Sequence, residues 1–86
     1  PLLKDTRAWV LFRNGKVNEA ENLLSEAVQA MPESPDINYH YAQVLQSKGD
    51  VSTALKHLEK AVSLGKSGFS ELGDAEKALI RLKSPG

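Results

Sequence analysis

A repeat of 34 residues constrains this chain more than any other feature of its sequence. When the first 34 residues are compared with the next 34, ten positions hold an identical residue, where composition alone predicts roughly two. The matched residues are small, aliphatic or turn-forming, and they are Pro1/Pro35, Ala8/Ala42, Val10/Val44, Leu11/Leu45, Gly15/Gly49, Val17/Val51, Ala20/Ala54, Leu24/Leu58, Ala27/Ala61 and Val28/Val62. Charged residues between them differ, so the two copies share packing and turns rather than chemistry.

The apolar residues of each copy recur at steps of three and four, which is the spacing of one face of an α-helix. The pattern predicts four helices, near residues 3–14, 17–31, 35–48 and 51–64. No stretch alternates in the manner of a β-strand. Gly15 and Gly49 are predicted to end the first helix of each copy, because the residue after the last turn takes a positive φ that glycine adopts without strain.

Polar residues mark the expected helix starts. Asn18 is a candidate cap for the second helix, with Glu21 three residues later as its partner. The third helix is expected to start at Ser34-Pro35-Asp36. This segment supplies a capping hydroxyl, a proline whose φ suits the first turn, and a carboxylate facing the helix dipole.

A fifth helix is predicted after residue 68, with Ser70 as its cap. Its apolar stripe consists of Leu72, Ala75, Ala78, Leu79 and Leu82. Glu76 falls where both earlier copies carry alanine, so we expect this helix to expose its outer face as a terminal cap. The predicted organisation is an all-α domain of five helices, with repeats at 1–34 and 35–68 and a capping helix and tail at 69–86.

At these positions the chain resembles the tetratricopeptide repeat family, whose unit is a helix–turn–helix of 34 residues. The matching residues are Ala8, Leu11, Gly15, Ala20, Leu24, Ala27 and Pro32 in the first copy, and Ala42, Leu45, Gly49, Ala54, Leu58 and Ala61 in the second. The chain departs from the family at Lys4 and Asn38, where a bulky aromatic is usual, and at Lys66, where the second copy would end in proline. The resemblance implies a right-handed α-solenoid of two units plus a capping helix, which acts without cofactors as a non-catalytic protein–protein interaction module.

Three segments carry a narrower resemblance. Residues 5–11, 37–42 and 49–50 are similar to the C-terminal end of long bacterial members of this family. Those members include repeat lipoproteins associated with exopolysaccharide and PEP-CTERM export systems. The resemblance implies a bacterial protein, either cytoplasmic or periplasmic and envelope-associated, and a chain that is a fragment of a longer array.

The first helix of each pair is expected to line the inner, concave wall of the stacked pairs. Residues of those helices outside the packing stripe should face a polypeptide ligand, and we call these residues the first-helix face. They are Asp5, Trp9, Phe12, Arg13, Asp36, Tyr39, His40, Gln43, Gln46 and Ser47. Aromatic and arginine side chains dominate interface energetics, so Trp9, Phe12 and Tyr39 are the expected solvent-reachable anchors. The alternatives are that Phe12 packs on the next repeat and that Trp9 covers an N-terminal neighbour.

One binding mode of the family is not expected. Members that hold the C-terminal carboxylate of heat-shock chaperones use lysine and asparagine where this sequence has Asp5, Trp9 and His40. An aspartate repels the carboxylate that the lysine would hold. The expected ligand is therefore a protein or peptide of neutral or mixed charge, bound through apolar anchors.

Composition argues against several other classes of function. Eleven Lys+Arg offset eleven Asp+Glu, and acids separate the lysines, so we expect no binding of nucleic acid. The chain has no cysteine, which excludes a disulfide framework and a thiolate zinc site. No apolar run approaches the ~18 residues of a membrane span, so no direct membrane insertion is expected.

No catalytic or metal-binding constellation is found in the sequence, and we expect neither an enzyme nor a metal site. His40 and His57 fall on different helices, with His57 expected on the outer surface or between helices. Asp36 and His40 are spaced for a local hydrogen bond on one helix face, but Ser47 lies too far along that helix for a triad. Residues 65–68 lack the spacing of a phosphate-binding loop, and we predict that they connect the fourth helix to the fifth.

Two functions remain open. The first is a scaffold or adaptor module that binds a peptide or a partner's helix in the concave groove. The second is structural: a terminal cap of a longer solenoid, or a segment that self-associates through the apolar edge of the first helix around Leu2, Leu3 and Val10.

Overall fold

The part of the chain that the structure describes is a series of helices, the first four of which are joined by short turns. The computed structural model describes residues 2–65 and 71–83, apart from the side chains of residues 2–5. The helices are α1 (Leu2–Arg13), α2 (Val17–Ala30), α3 (Pro35–Ser47), α4 (Val51–Leu64) and α5 (Leu72–Lys83). These two ranges contain no strand, and the all-α prediction is confirmed.

One glycine makes the turn inside each of the two helical hairpins. Gly15 and Gly49 have φ of +82° and +86°, in the left-handed region where a Cβ would be strained. After each glycine the chain closes the same hydrogen bond: Lys16 N donates to Leu11 O at 2.8 Å, and Asp50 N donates to Leu45 O at 3.0 Å. This bond closes the end of the first helix around the glycine, so the predicted helix terminators are confirmed.

The helix starts follow the sequence signals only in part. The hydroxyl of Ser34 accepts a hydrogen bond from Ile37 N at 3.3 Å, which confirms the predicted start of α3. The predicted cap at Asn18 is wrong, because α2 already begins at Val17 and Lys16 occupies the cap position with no side-chain hydrogen bond. The tight turn after Gly15 leads directly into the helix, which leaves Asn18 inside its first turn. The predicted cap Ser70 lies outside the described residues.

The alanines shared by the two copies form the close contacts between helices. Ala8, Ala20, Ala27, Ala42, Ala54 and Ala61 are each at most 2% exposed. Side chains this small allow neighbouring backbones to approach closely and leave little space unfilled. The predicted packing role of these positions is confirmed, and Pro32 lies exposed just beyond the end of α2.

Two hydrophobic clusters hold the hairpins together. The first joins α1 and α2 to α3, and its buried members are Ala8, Ala20, Leu24, Ala27, Ile37 and Val44. The second joins α3 and α4 to α5, and its buried members are Tyr39, Ala42, Leu45, Ala54, Leu58, Ala61 and Ala75. Helix α3 contributes to both clusters, so one hairpin stacks on the other and α5 caps the stack. Glu76 is exposed on α5, as its place in the alanine slot predicts.

A buried asparagine ties the inter-repeat turn to α4. Asn38 is fully buried, and its Nδ2 donates to Pro32 O at 3.0 Å and to Ser34 O at 2.8 Å. Its Oδ1 therefore accepts from His57 Nδ1 at 2.9 Å, which places the proton of His57 on Nδ1. The asparagine that replaces the usual aromatic thus satisfies two backbone carbonyls at the turn between repeats.

None of the helices in the described ranges has the length and apolar character that crossing a membrane requires.

Candidate functional site

The first-helix face brings an aromatic cluster together across α1 and α3. The Trp9 ring stacks on the His40 ring, with centroids 4.6 Å apart and planes 28° from parallel. Phe12 lies 5.4 Å from Trp9, and Tyr39 lies 5.7 Å from His40. Offset and tilted ring pairs at such distances stabilise a structure by about 0.5–1.5 kcal/mol each. We call these four residues the aromatic cluster.

His40 also joins this cluster to the residue that precedes α5. Its Nε2 lies 2.9 Å from Glu71 Oε1, and the two side chains are 12% and 32% exposed. Since a carboxylate only accepts hydrogen bonds, Nε2 carries the proton in this contact. The sequence spacing allowed a hydrogen bond between His40 and Asp36, one turn away on the same helix. Glu71 enters instead because α5 packs beside α3, and residues 31 apart in sequence meet.

Tyr39 is not the open aromatic anchor that the sequence predicts, and that expectation is wrong. Only 4% of Tyr39 is exposed, because its ring joins the second hydrophobic cluster between α3 and α5. Its hydroxyl accepts a hydrogen bond from Gln43 Nε2 at 3.0 Å. Burial raises the pKa of Tyr39, and the carboxylates of Glu71 and Asp74 raise it further.

The remaining residues of the first-helix face differ in exposure. Trp9, Phe12, Asp36 and Gln43 are half-buried, whereas Arg13, Gln46 and Ser47 are exposed. Phe12 packs against the first hydrophobic cluster, as the alternative interpretation of the sequence allowed. Gln43 Oε1 is buried and has no hydrogen-bond partner in the described part of the chain. The side chain of Asp5 lies outside the described residues.

His57 belongs to the fold rather than to this face. Besides its bond to Asn38, its ring meets the edge of Tyr41 with centroids 4.7 Å apart. Burial lowers the pKa of His57, and the neighbouring Lys60 and Lys56 lower it further. The residue therefore lies between helices, which is one of the two places that the sequence left open for it.

In residues 2–65 and 71–83, His, Asp and Glu side chains nowhere gather in a group of three that would hold a metal ion.

The first-helix face continues onto α5, which the sequence analysis missed. When the 34-residue frame is extended by one more repeat, Trp9 and Gln43 correspond to Lys77, and Phe12 and Gln46 correspond to Ile80. Both α5 residues are exposed, and Ile80 is among the most exposed large apolar residues at 68%. The periodicity that placed α5 in the repeat frame was the signal that could have found them.

A second exposed surface lies on the other side of α1. Val10 is 54% exposed and lines a shallow pocket with Thr6, Arg7, Leu11 and Glu19. Val10 belongs to the apolar edge that the sequence analysis named. Its neighbours on that edge, residues 2 and 3, have side chains outside the described residues.

These features define a helical-repeat protein, built from stacked helical hairpins and closed by a capping helix. A family model described as "Tetratricopeptide repeat" matches residues 11–66, which is more than half of the chain. The chain therefore belongs to the tetratricopeptide repeat family. Repeats of this family are generally non-catalytic, and the chain is a protein–protein interaction module in that general sense.

The curated relatives that match are much longer proteins. Two are the mitochondrial import receptor subunit TOM70 of Saccharomyces cerevisiae, from strains YJM789 and S288c. Each is 35% identical over 57 residues, which cover 66% of this chain and 9% of the relative. No solved structure matches the chain. The resemblance to bacterial lipoproteins stays a prediction.

Proposed function

We propose that this chain is a non-catalytic scaffold or adaptor module that binds a peptide or a partner's helix on the first-helix face. The observation that carries this proposal is the stack of Trp9 on His40. A half-buried tryptophan on a polar, partly exposed face offers a large apolar surface to a ligand while keeping a defined orientation.

The aromatic cluster supports binding because its members are already held in place. His40 is contacted from one side by Trp9 and from the other by Glu71, so α1, α3 and the residue before α5 jointly orient the two rings. A side chain that is ordered before binding loses less conformational entropy when the ligand arrives. Exposed Gln46 and Ser47 supply hydrogen-bonding groups farther along α3.

The proposal concerns a polypeptide ligand of neutral or mixed charge. The TOM70 relatives are named as import receptor subunits, and that name supports a polypeptide partner. The C-terminal carboxylate of a heat-shock chaperone is not proposed, because Asp5, Trp9 and His40 stand where that binding mode needs lysine and asparagine.

A random-peptide display library selected against the intact chain tests this proposal. Trp9 is the only tryptophan, so its fluorescence reports occupation of the face directly. We expect selected peptides to shift this emission and to bind Trp9→Ala at least about tenfold more weakly. The matched control is Val51→Ala, an apolar truncation on α4 at a residue 45% exposed, and it should bind as the unchanged chain does.

Two results would overturn the proposal. One is a library that yields no ligand. The other is a set of ligands that leave Trp9 emission unchanged and bind Trp9→Ala with full affinity. Because the emission is measured on the unsubstituted chain, a variant that folds poorly does not prevent a decision.

The second candidate function is structural, and the exposure of Val10 favours it. The surface around Val10 would stack on another repeat, as the terminal cap of a longer solenoid, or on a second copy of this chain. The support for a solenoid in a bacterial export or exopolysaccharide system is the narrower resemblance of the sequence described above. Sedimentation of the chain over a range of concentrations tests self-association: a dimer that Val10→Asp abolishes supports it, and a monomer at every concentration excludes it.

A further inference from the structure

Helices α1, α3 and α5 occupy the same place in successive repeats, and the side chains on their unpacked sides recur at the same spacing. On α1, Trp9, Phe12 and Arg13 occupy positions i, i+3 and i+4, which share a helix face. On α5, residues 77, 80 and 81 have the same spacing and the same place in the 34-residue frame. The side chains on α5 are Lys77, Ile80 and Arg81, so this end of the face is apolar and basic.

Packing of α5 directs these side chains outward. Ala75 is fully buried in the second hydrophobic cluster, and Ala78, Leu79 and Leu82 pack against the same cluster. The opposite side of α5 therefore faces away from α4. Ile80 is exposed as a consequence, because burying it would require a rotation of α5 that exposes its alanine and leucine side chains to water.

Among the described residues, several cations elsewhere in the chain are held in ion pairs, whereas the cations of this face are not. Three lysines have carboxylate partners on other helices or turns, and these pairs are Lys48 with Glu21, Lys60 with Glu33 at 3.8 Å, and Lys83 with Glu59 at 3.2 Å. Arg13, Lys77 and Arg81 are exposed and have no ion pair in the described part of the chain. Their charges remain available to a ligand.

We propose that α5 is part of the binding surface and that the ligand is an acidic polypeptide segment with an aliphatic or aromatic side chain. Its carboxylates pair with Arg13, Lys77 and Arg81, and its apolar side chain packs on Ile80. This inference rests on the proposed function and departs from it in one respect, because the segment that contacts α5 is acidic rather than neutral or mixed in charge. Arginine and lysine bound to carboxylates form hydrogen bonds stronger than those between neutral groups.

The acids of the same helices orient this ligand. Asp36 lies in the first turn of α3, Asp74 lies in the first turn of α5, and Glu71 precedes α5. The cations lie toward the opposite ends of the helices, with Arg13 and Arg81 in the last turns of α1 and α5. A segment with acidic residues is repelled from the first turns and attracted to the last turns, which gives it one direction of approach.

Two short fluorescein-labelled peptides test the inference by fluorescence anisotropy. In one peptide glutamates flank a central leucine, and in the other lysines replace the glutamates. We expect the glutamate peptide to bind the intact chain more tightly than the lysine peptide, with an affinity that falls as salt is added. Arg81→Glu should weaken that binding about tenfold, and Ile80→Ser should weaken it severalfold. Lys56→Glu, the same charge change at an exposed residue of α4, is the matched control and should leave binding unchanged.

The outcomes separate this inference from the proposed function. A glutamate peptide that binds no better than the lysine peptide, or that binds Arg81→Glu with full affinity, overturns the acidic class. Library-selected peptides that still require Trp9 would then leave the first-helix face as a binding surface for another ligand. Preference for the lysine peptide would assign the ligand contact to the acids near the first turns instead.

Discussion

Val10 and Val44 occupy the same position in successive repeats, yet Val44 is fully buried and Val10 is 54% exposed. Val44 lies in the first hydrophobic cluster, where α3 packs on the preceding hairpin. In the described part of the chain, nothing comparable covers Val10. Comparing substitutions at the two positions therefore shows how much one stacking contact contributes to the free energy of unfolding.

Alanine substitution should separate the two valines. Val44→Ala removes two buried carbons and is expected to lower the free energy of unfolding by about 2 kcal/mol. Val10→Ala is expected to change it by less than about 0.5 kcal/mol in the monomer. Urea denaturation followed by circular dichroism measures both, and equal losses at the two positions would contradict this account of stacking.

Alanine substitution should destabilise the fold at a turn glycine and stabilise it at a glycine within a helix. Gly49→Ala forces a Cβ into a backbone with φ of +86° and is expected to destabilise the fold by about 1–2 kcal/mol. Gly73→Ala on α5 meets no atom within 4 Å and should stabilise it by about 0.5–1 kcal/mol. The melting temperatures of the two variants should therefore move in opposite directions. A rise in both would show that the turn does not require the left-handed conformation.

The buried asparagine is expected to matter more than its small side chain suggests. Asn38→Ala leaves Pro32 O and His57 Nδ1 without their Asn38 partner and removes one of the two donors to Ser34 O, so the free energy of unfolding should fall by at least about 2 kcal/mol. Asn22→Ala, at an exposed position of α2, is the matched control with an expected change below about 0.5 kcal/mol. Equal effects in chemical denaturation would show that the hydrogen bonds of Asn38 add no stability.

Stability should also depend on the protonation of His57. The pKa of His57 in the fold lies below its ordinary value of 6.5, so the unfolded chain binds more protons once the pH falls through that value. The free energy of unfolding is therefore expected to fall as the pH drops below about 6.5 and to level off below the lowered pKa. His57→Gln should flatten this part of the profile, with the other titrating groups unchanged. A variant whose stability falls as steeply with acid as that of the unsubstituted chain would assign the effect elsewhere.

Local requirements made much of the fold predictable. Gly15 and Gly49 were found because a positive φ excludes most other residues, and Ser34 because a helix start needs a side-chain acceptor. Local reasoning failed at Asn18, where the preceding turn had already begun the helix. The alanine pattern identified the packed side of each helix, since apolar steps of three and four define one face.

The candidate site was less predictable. Tyr39 was expected to face a ligand, but α5 covers it and Glu71 reaches His40. The sequence of α3 indicates which side of that helix is polar, but the covering of that side depends on how α5 packs. Extending the repeat frame to α5 would have found Lys77 and Ile80, because the frame needs no knowledge of packing.

The amino-acid order by itself determined the helices, the turns between them and the packed face of each helix, because each depends on residues within one or two helical turns. Tertiary structure decided which polar and aromatic side chains meet. The pairs Trp9 with His40, His40 with Glu71, and Asn38 with His57 join residues 19 to 31 positions apart. Such pairs form only after helix packing has brought distant backbone segments to a common surface. The local conformational preferences of the chain do not determine which of these segments meet.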